Sequence, residues 1–331
     1  MASLLFSLSI TNPKISNHKK LTIVTFHRIL PPSLHNKYPL KEIAVTTSEL
    51  RWTLSLLTKH FICGTLQNMC DKFFSGVNSD KPYLAITFDD GQLDNLLYGV
   101  PILSEFGLNA TFFITSEMGS KDHQLLWHDK VAFCLDKIIA EGKAGKVSRK
   151  LSDLLNTQVE ASNISTVVSL LKNISTQKRQ EIVKYLFNTS NFKISAPWQR
   201  ILNEAEILSL CKKGHEIGSH SHSHEILTPL PDEMRNKEIS ESRNELTNLV
   251  GKEIVSICYP NGNWNSKVIK DVKDAGFKYG VTTNRGLNDR NTCLHTLKRC
   301  CIQSETSVSS RNILSKQRFL WRISGLHPFL R

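Results

Sequence analysis

Short apolar, β-branched runs that end at Pro, Gly or Asp recur along the chain and predict buried strands. The first is LTIVTFHRIL (21–30), which stops at two prolines, and the second is YLAITFDDG (83–91), which stops at two aspartates and a glycine. A helical pattern over 93–106 follows, and NATFFIT (109–115) predicts a third strand. Strand, helix and strand at this spacing form a βαβ unit, which indicates a parallel sheet.

This alternation pauses and then resumes. From about 119 to 200, apolar residues recur at helical spacing between linkers rich in Asn, Ser and Thr, which predicts a helical insertion of several short helices. The pattern that follows it predicts helices at 203–214, 232–249 and 266–275 and strands at 215–220, 254–260 and 277–283. The resumed βα alternation predicts a barrel-like or doubly wound α/β domain.

Composition narrows the classes of partner. The 331 residues are 40% hydrophobic, which suits a folded core, and carry a formal net charge of +12 that is partly concentrated from Lys298 to Arg331. Such a surplus suits nucleic acid, an anionic membrane or an acidic glycan. No nucleic-acid-binding signature accompanies the charge, so we expect no nucleic-acid partner.

Three features favour a cytoplasmic protein. The apolar run near the start lacks the preceding basic residues of a secretory signal. The eight cysteines are scattered without a repeating CxxC spacing, which is typical of reduced core thiols. No apolar run approaches the length of about 18 residues that a spanning helix needs.

Chemically distinctive residues follow two of the predicted strands, where parallel α/β folds place their active sites. Asp89 and Asp90 end TFDDG, and HSHSH supplies His220, His222 and His224. His220 and His224 share a face if the chain turns helically there, with His222 pointing elsewhere. Two imidazoles and one carboxylate are a common catalytic zinc set. The plainer alternatives are a turn or helix cap for the aspartates and a solvated strand end for the histidines.

Four segments in this order resemble the polysaccharide deacetylases of carbohydrate esterase family 4: LAITFDDG, NATFFIT, GHEIGSHSHSHEIL and CYPNG. The resemblance implies a distorted (β/α) barrel with a helical insertion, a divalent metal that is usually zinc, and hydrolysis of an N-acetyl group from an amino sugar. It divides the chain into an N-terminal extension (1–20), a deacetylase domain (21–302, with the insertion at about 119–200) and a basic C-terminal tail (303–331).

The same resemblance implies roles for individual residues. Asp90, His220 and His224 would bind the metal, with His222 at a variable position, and Asp89 would be the general base. The third motif would bind substrate and supply a backbone N–H to the oxyanion, through Tyr259, Pro260, Asn261 and Gly262. Asn261 stands where the family usually has tyrosine.

The general acid has two candidates. His27 lies in TFHR, which resembles the Tyr-His-Arg element of a permuted subgroup, and His295 lies in CLHTL, a loose match to a late Leu-x-His motif. We favour His27, whose plainer interpretation is a hydrogen-bonded core histidine. Cys258 replaces the arginine that often braces the catalytic aspartate, and Arg299 is a candidate to supply that charge.

Aromatic residues and the two appended segments add further expectations. Trp127, Trp198 and Trp264 are candidates for stacking on a sugar, or else core residues. The helical insertion could cover the site or bind a partner. The basic tail, with Phe319, Leu320, Trp321 and Ile323, could contact anionic lipid or form a terminal helix packed on the barrel.

Together these features predict a metal-dependent hydrolase that deacetylates an N-acetylated sugar during polysaccharide or glycolipid assembly. We expect a nucleotide-linked or lipid-linked sugar as substrate, in the cytoplasm or at the inner face of the membrane. The rivals are hydrolysis of a non-sugar amide and an inactive carbohydrate-binding descendant. Retention of the carboxylate pair and both histidines argues against the descendant, since binding alone needs no base.

Overall fold

A computed structural model describes residues 12–117, 124–303, 306 and 313–325. Its strands are β1 (Thr22–Phe26), β2 (Arg28–Leu30), β3 (Ala44–Thr46), β4 (Ile62–Gly64), β5 (Tyr83–Phe88), β6 (Thr111–Ile114), β7 (Glu216–Ser219), β8 (Ser256–Cys258), β9 (Tyr279–Arg285) and β10 (Leu297–Cys301). Its α-helices are α1 (Pro13–Ser16), α2 (Pro32–His35), α3 (Thr47–His60), α4 (Leu66–Phe74), α5 (Val100–Glu105), α6 (Trp127–Ala140), α7 (Ala144–Leu155), α8 (Ile164–Leu171), α9 (Thr176–Ser190), α10 (Glu204–Lys212), α11 (Asp232–Val250), α12 (Ser266–Asp274) and α13 (Lys316–Ile323).

Seven parallel strands close into a barrel. They follow one another around the ring in the order β1, β10, β9, β8, β7, β6 and β5, and β5 pairs back onto β1. β4 pairs with the first half of β5, on the edge whose second half pairs with β6. The predicted α/β barrel is therefore confirmed. Because every strand runs the same way, the residues that follow the strands gather at one end of the barrel.

The first predicted strand is divided in two, which corrects the single strand expected over 21–30. β1 belongs to the barrel, whereas β2 pairs with β3 in a separate two-stranded parallel sheet. His27 lies between them, at the carboxyl end of β1. Both strands are buried, and the segment Phe26-His27-Arg28-Ile29 holds no Gly or Pro, so no turn residue marks the break.

Helices α6 to α9 pack around a hydrophobic cluster separate from the barrel core. It includes Phe133, Leu151 and Ile182 from these helices and Tyr38 from the segment after β2. Trp198 is buried there, edge-on to Phe133 and Tyr38. Trp198 is thus a core residue, because these neighbours cover its ring, and its candidacy for stacking on a sugar was wrong.

The C-terminal helix α13 packs on the barrel. Phe319, Leu320 and Ile323 are buried in the hydrophobic cluster that β1 and β5 share with the surrounding helices, and Phe319 contacts Trp52 at a ring-centroid distance of 5.6 Å. Three of the four apolar side chains considered for lipid contact are therefore covered by protein, which matches the alternative of a packed terminal helix. Within the described ranges, no helix is both long and apolar enough to cross a membrane.

Candidate active site

A cavity of about 310 Å³ opens at the carboxyl ends of the barrel strands. Its walls bring together side chains from distant parts of the sequence: His27, Asp89, Asp90, His128, His220, His224, Tyr259, Asn261 and Arg299. Most of them follow a barrel strand, whereas Arg299 lies within β10 and His128 lies on α6. The closed parallel sheet assembles this set, since the carboxyl ends of its strands share one rim.

Asp89 is neutralised by a buried arginine from β10. Arg299 makes a two-pronged ion pair with it, with Nη1–Oδ1 at 2.7 Å and Nη2–Oδ2 at 2.8 Å. Burial acts to raise the pKa of Asp89, but Arg299 outweighs burial and lowers the pKa below its usual value. The Sγ of Cys258 lies 3.2 Å from Arg299 Nη2, so a small side chain there leaves room for the guanidinium.

Asp90 faces imidazoles instead of a fixed cation. Nε2 of His220 lies 3.3 Å from Asp90 Oδ1, and Nε2 of His224 lies 3.4 Å from the same oxygen. Burial acts to raise the pKa of Asp90, but His128, His220 and His224 outweigh it and hold the pKa well below its usual range. Burial lowers the pKa of His224 to about 4, so that imidazole is neutral at pH 7.

The histidine segment is not helical, which corrects the helical turn expected after IGSH. Ser221 and His224 have positive φ angles of 63°, as does Asp90 at 74°. Left-handed backbone at a residue other than Gly or Asn costs of order 1–3 kcal/mol and is found mainly at functional sites. The left-handed residues Ser221 and His224, rather than helical periodicity, turn His220 and His224 toward Asp90 Oδ1.

His222 points away from this cluster. Its Nδ1 lies 2.9 Å from Ser116 Oγ and 3.0 Å from Glu245 Oε2. The backbone N–H of Glu117 also donates to the His222 carbonyl, which ties the histidine segment to the end of β6. His222 therefore braces the loop from outside, and it lies outside the set of three side chains around Asp90.

The donor set fits a divalent cation. His220 Nδ1 lies 2.8 Å from the Cys258 carbonyl, which only accepts, so Nδ1 carries a proton and Nε2 is the ring nitrogen that faces Asp90. A lone pair opposite a carboxylate oxygen is repulsive unless a proton or a cation lies between them. A carbonyl behind the ring is also the usual outer partner of a metal-binding histidine. One ligand atom each from Asp90, His220 and His224 lie within 4.8 Å of one another.

The two candidate acids lie at opposite ends of the barrel. His27 lines the cavity, with Nε2 3.7 Å from Asp89 Oδ2. His295 precedes β10, and its Nε2 lies 3.0 Å from the Phe277 carbonyl, which precedes β9. His295 is therefore at the amino ends of the strands, outside this site. The loose match to a late Leu-x-His motif did not indicate this location, because it depends on which end of the barrel precedes β10.

The third motif forms one rim of the cavity. The Tyr259 side chain is buried in the same hydrophobic cluster as Ile257 and Phe277 and donates from Oη to the His295 carbonyl. Pro260 and Gly262 form a tight turn with Asn261. Asn261 turns its amide toward Asn263 Oδ1 at 2.7 Å. A Cβ at Gly262 would lie 2.0 Å from Thr283 Oγ1, so only glycine allows this loop to approach β9. The motif thus contributes mainly backbone groups at the rim.

The sequence patterns did not indicate one residue at the site, His128. His128 lies in the first turn of α6, with Nε2 3.5 Å from Asp90 Oδ2. Its only signal in the sequence is a lone histidine beside Asp129 at a helix start, which is common without function. The neighbouring Trp127 lines the cavity, as one of the three stacking candidates, whereas Trp264 is 38% exposed outside it.

Sequence comparison agrees with the geometry. The family described as "Polysaccharide deacetylase" matches residues 76–160 and 167–280. A curated relative from Bacillus subtilis (strain 168), described as "Putative polysaccharide deacetylase YxkH", is 27% identical over 109 residues. That alignment covers 33% of this chain and spans 39% of the relative's length.

Solved structures share the fold at low sequence identity. Streptococcus pyogenes deacetylase PplD in complex with acetate aligns with a TM-score of 0.57 at 16% identity, over 88% of this chain and 96% of that one. IcaB from Ammonifex degensii aligns with a TM-score of 0.57 at 14% identity, over 87% and 94%. With the family match covering more than half of the sequence, the chain belongs to the polysaccharide deacetylase family.

Proposed function

We propose that this protein is a metal-dependent hydrolase that removes the N-acetyl group from an amino sugar. The observation that carries the proposal is that the two adjacent carboxylates have different partners. Asp89 is held by Arg299 with its charge compensated, and Asp90 faces the ring nitrogens of two buried histidines. Hydrolysis of an amide needs both a base and an electrophile beside one water molecule, and this arrangement offers a place for each.

Asp90, His220 and His224 would hold the metal. A divalent ion there, most simply zinc, would polarise the acetamide carbonyl and lower the pKa of water from about 15.7 toward 7. Three protein ligands leave positions open for water and substrate, as in catalytic zinc sites. The ring of His220 is fixed for this task by its hydrogen bond to the Cys258 carbonyl.

Asp89 would take the proton from the attacking water. Its lowered pKa keeps it ionised at neutral pH. Arg299 holds both carboxylate oxygens, so the base has one orientation before the substrate arrives. General base catalysis of this kind contributes roughly 10²–10⁴-fold to the rate.

The third motif would stabilise the oxyanion through its backbone. Tyr259 N–H donates to Val281, Gly262 N–H donates to Tyr259, and proline has no N–H, which leaves the Asn261 N–H as the motif's donor at the rim. One such donor contributes about 3 kcal/mol to transition-state stabilisation. The replacement of the family's usual tyrosine by Asn261 leaves this backbone contribution intact.

His27 would protonate the leaving amine. It lies on the cavity wall beside Asp89, with Nε2 3.7 Å from Oδ2. Burial lowers the pKa of His27, although Asp90 and Asp89 oppose that effect. A lowered pKa makes the protonated ring a stronger acid toward the amine. The nitrogen would thus leave as an amine instead of an unstable anion.

The substrate class is testable by acetate release. A panel should include N-acetylated monosaccharides, β-linked oligosaccharides, sugar nucleotides, a lipid-linked sugar and a non-sugar acetamide, each incubated with zinc-loaded wild-type protein and with Asp89→Asn. We expect acetate from at least one N-acetylated sugar and none with the variant. Release from the non-sugar acetamide alone would contradict the sugar assignment. Zinc binding without release from any compound would instead support a carbohydrate-binding descendant.

A further inference from the structure

The helical insertion contributes a side chain to the candidate metal site. His128 is 7% exposed and lies in the first turn of α6. Its Nε2 is 3.5 Å from Asp90 Oδ2, whereas His220 and His224 approach the other carboxylate oxygen, Oδ1. The three imidazoles therefore divide the two oxygens of Asp90 between them.

His128 Nε2 has an unmet bonding requirement. Within the ranges that the structure describes, this buried nitrogen has no hydrogen-bond partner of good geometry. Leaving a buried polar group unsatisfied costs about 1–3 kcal/mol. Asp90 Oδ2, at 3.5 Å, is the nearer of the two carboxylate oxygens beside it, since Asp129 Oδ2 lies at 3.9 Å. A shift of a few tenths of an ångström would bring Nε2 and Asp90 Oδ2 within the usual hydrogen-bond range of 2.7–3.2 Å.

The position of His128 is fixed by its neighbour in sequence. Asp129 accepts from Arg28 Nη2 at 2.6 Å, from Tyr38 Oη at 2.7 Å and from Gln92 Nε2 at 2.8 Å. Arg28 lies on β2 and also pairs with Asp94 at 2.7 Å. This buried network fastens the start of α6 to the rim of the barrel. The ring of His128 is consequently held beside Asp90 before any ion binds.

We propose that His128 is a positioning residue for Asp90: its Nε2–H donates to Oδ2 and leaves Oδ1 to bind the metal with His220 and His224. This inference rests on the proposed metal site. A carboxylate held in this way binds through one oxygen, and the metal keeps its open positions for water and the acetamide. His128 is outside the set of mutually close ligand atoms formed by Asp90, His220 and His224, which favours hydrogen bonding over direct ligation.

Zinc affinity tests the proposal without relying on turnover. Metal-stripped wild-type protein, His128→Ala, His128→Gln and the control His295→Ala would be titrated with Zn²⁺ against a chromophoric chelator. Loss of a hydrogen bond to a ligating carboxylate typically lowers metal affinity 10–100-fold, which is the loss we expect for His128→Ala. Gln places an amide N–H near the position of Nε2, so His128→Gln should bind within about threefold of wild type. His295→Ala should match wild type.

Cobalt spectra separate positioning from ligation. We expect the visible bands of the Co²⁺ complex to keep their position and intensity in His128→Gln, because the ligands are unchanged. Equal zinc affinity in His128→Ala and wild type would overturn the proposal. Matched losses in both His128 variants, with an altered cobalt spectrum, would overturn it in favour of direct ligation. If neither wild type nor His295→Ala binds zinc, the metal site of the proposed function fails, and the inference fails with it. Far-UV circular dichroism would show that each variant is folded.

Discussion

Asp89 and Asp90 are adjacent and both buried, but their negative charges are compensated in different ways. Arg299 holds both oxygens of Asp89 in a permanent ion pair. Asp90 has no such partner among the described residues, and imidazole nitrogens of His128, His220 and His224 surround it. Burial of an ion costs several kcal/mol unless it is paired. The barrel therefore supplies its own cation for one carboxylate, and under the proposed function the other would bind an external cation.

This contrast assigns different tasks to the two carboxylates. A carboxylate with a built-in cation keeps its orientation and charge whether or not a metal is bound, as a base requires. Asp90, which is surrounded by imidazoles, would change its electrostatic surroundings when an ion arrives. The two side chains diverge directly after β5, where Asp90 has a left-handed φ of 74°. The following predictions test each half of the comparison.

Removal of a proposed metal ligand should have the largest effect. His220→Ala deletes one of the three proposed protein ligands, the imidazole whose Nε2 lies 3.3 Å from Asp90 Oδ1. We expect zinc affinity to fall by about 10³-fold or more, since structural and catalytic sites derive their affinity from the full ligand set. Calorimetric titration of the metal-stripped protein measures this. His222→Ala is the matched control, and an equal loss in both variants would contradict the assignment.

Asp89→Asn should distinguish the role of Asp89 from that of Asp90. The variant keeps the shape of the side chain but loses its basicity. We expect kcat/KM for acetate release to fall roughly 10²–10⁴-fold, the usual contribution of a general base. Zinc affinity should stay within a few-fold of wild type because Asp90, His220 and His224 are untouched. A loss of zinc comparable to that of His220→Ala would show that Asp89 is itself a ligand.

Arg299→Met should lower the free energy of unfolding, because it leaves the buried charge of Asp89 unpaired. Breaking a buried ion pair from one side destabilises a protein by about 3–5 kcal/mol. Urea unfolding should show a decrease of this size in the free energy of unfolding. The double variant Asp89→Asn with Arg299→Met should recover part of the loss, because asparagine is neutral. No recovery would mean that Arg299 stabilises the barrel through Thr25 and Thr282 instead.

His295→Ala should have the smallest effect. The ring contacts the Phe277 carbonyl at the other end of the barrel, so we expect kcat/KM to change by less than about twofold, as is usual away from a site. His27→Ala, its counterpart on the cavity wall, should lower kcat/KM by about 10²-fold or more. Steady-state acetate release compares the two. The reverse ranking would return the acid's role to His295.

Sequence patterns predicted the features that depend on neighbouring residues: the strands, the helices and the contiguous motifs. The βα alternation predicted a parallel sheet in a barrel-like or doubly wound domain, since apolar runs and helical periodicity report burial directly, and the family resemblance implied the barrel. The two aspartates and the histidine cluster were found because each group is contiguous and follows a strand. The tertiary structure then brings Asp90, His220 and His224 together across more than a hundred residues.

Long-range contacts account for what the sequence did not reveal. The break at His27 depends on β2 pairing with β3, and the left-handed turns at Ser221 and His224 depend on the loop's attachment to β6. His128 reaches Asp90 only because a buried ion-pair network fastens α6 to the barrel. A lone histidine carries no pattern of its own, so its role emerges only from its neighbours in space.

The most direct test of the central claim is acetate release by metal-stripped wild-type protein as zinc is added back, using a sugar substrate identified by the panel. The account predicts no release without metal and recovery that saturates as one zinc ion per chain is bound. Full activity after stripping, with no response to added zinc, would contradict a site in which Asp90, His220 and His224 hold a catalytic metal beside Asp89.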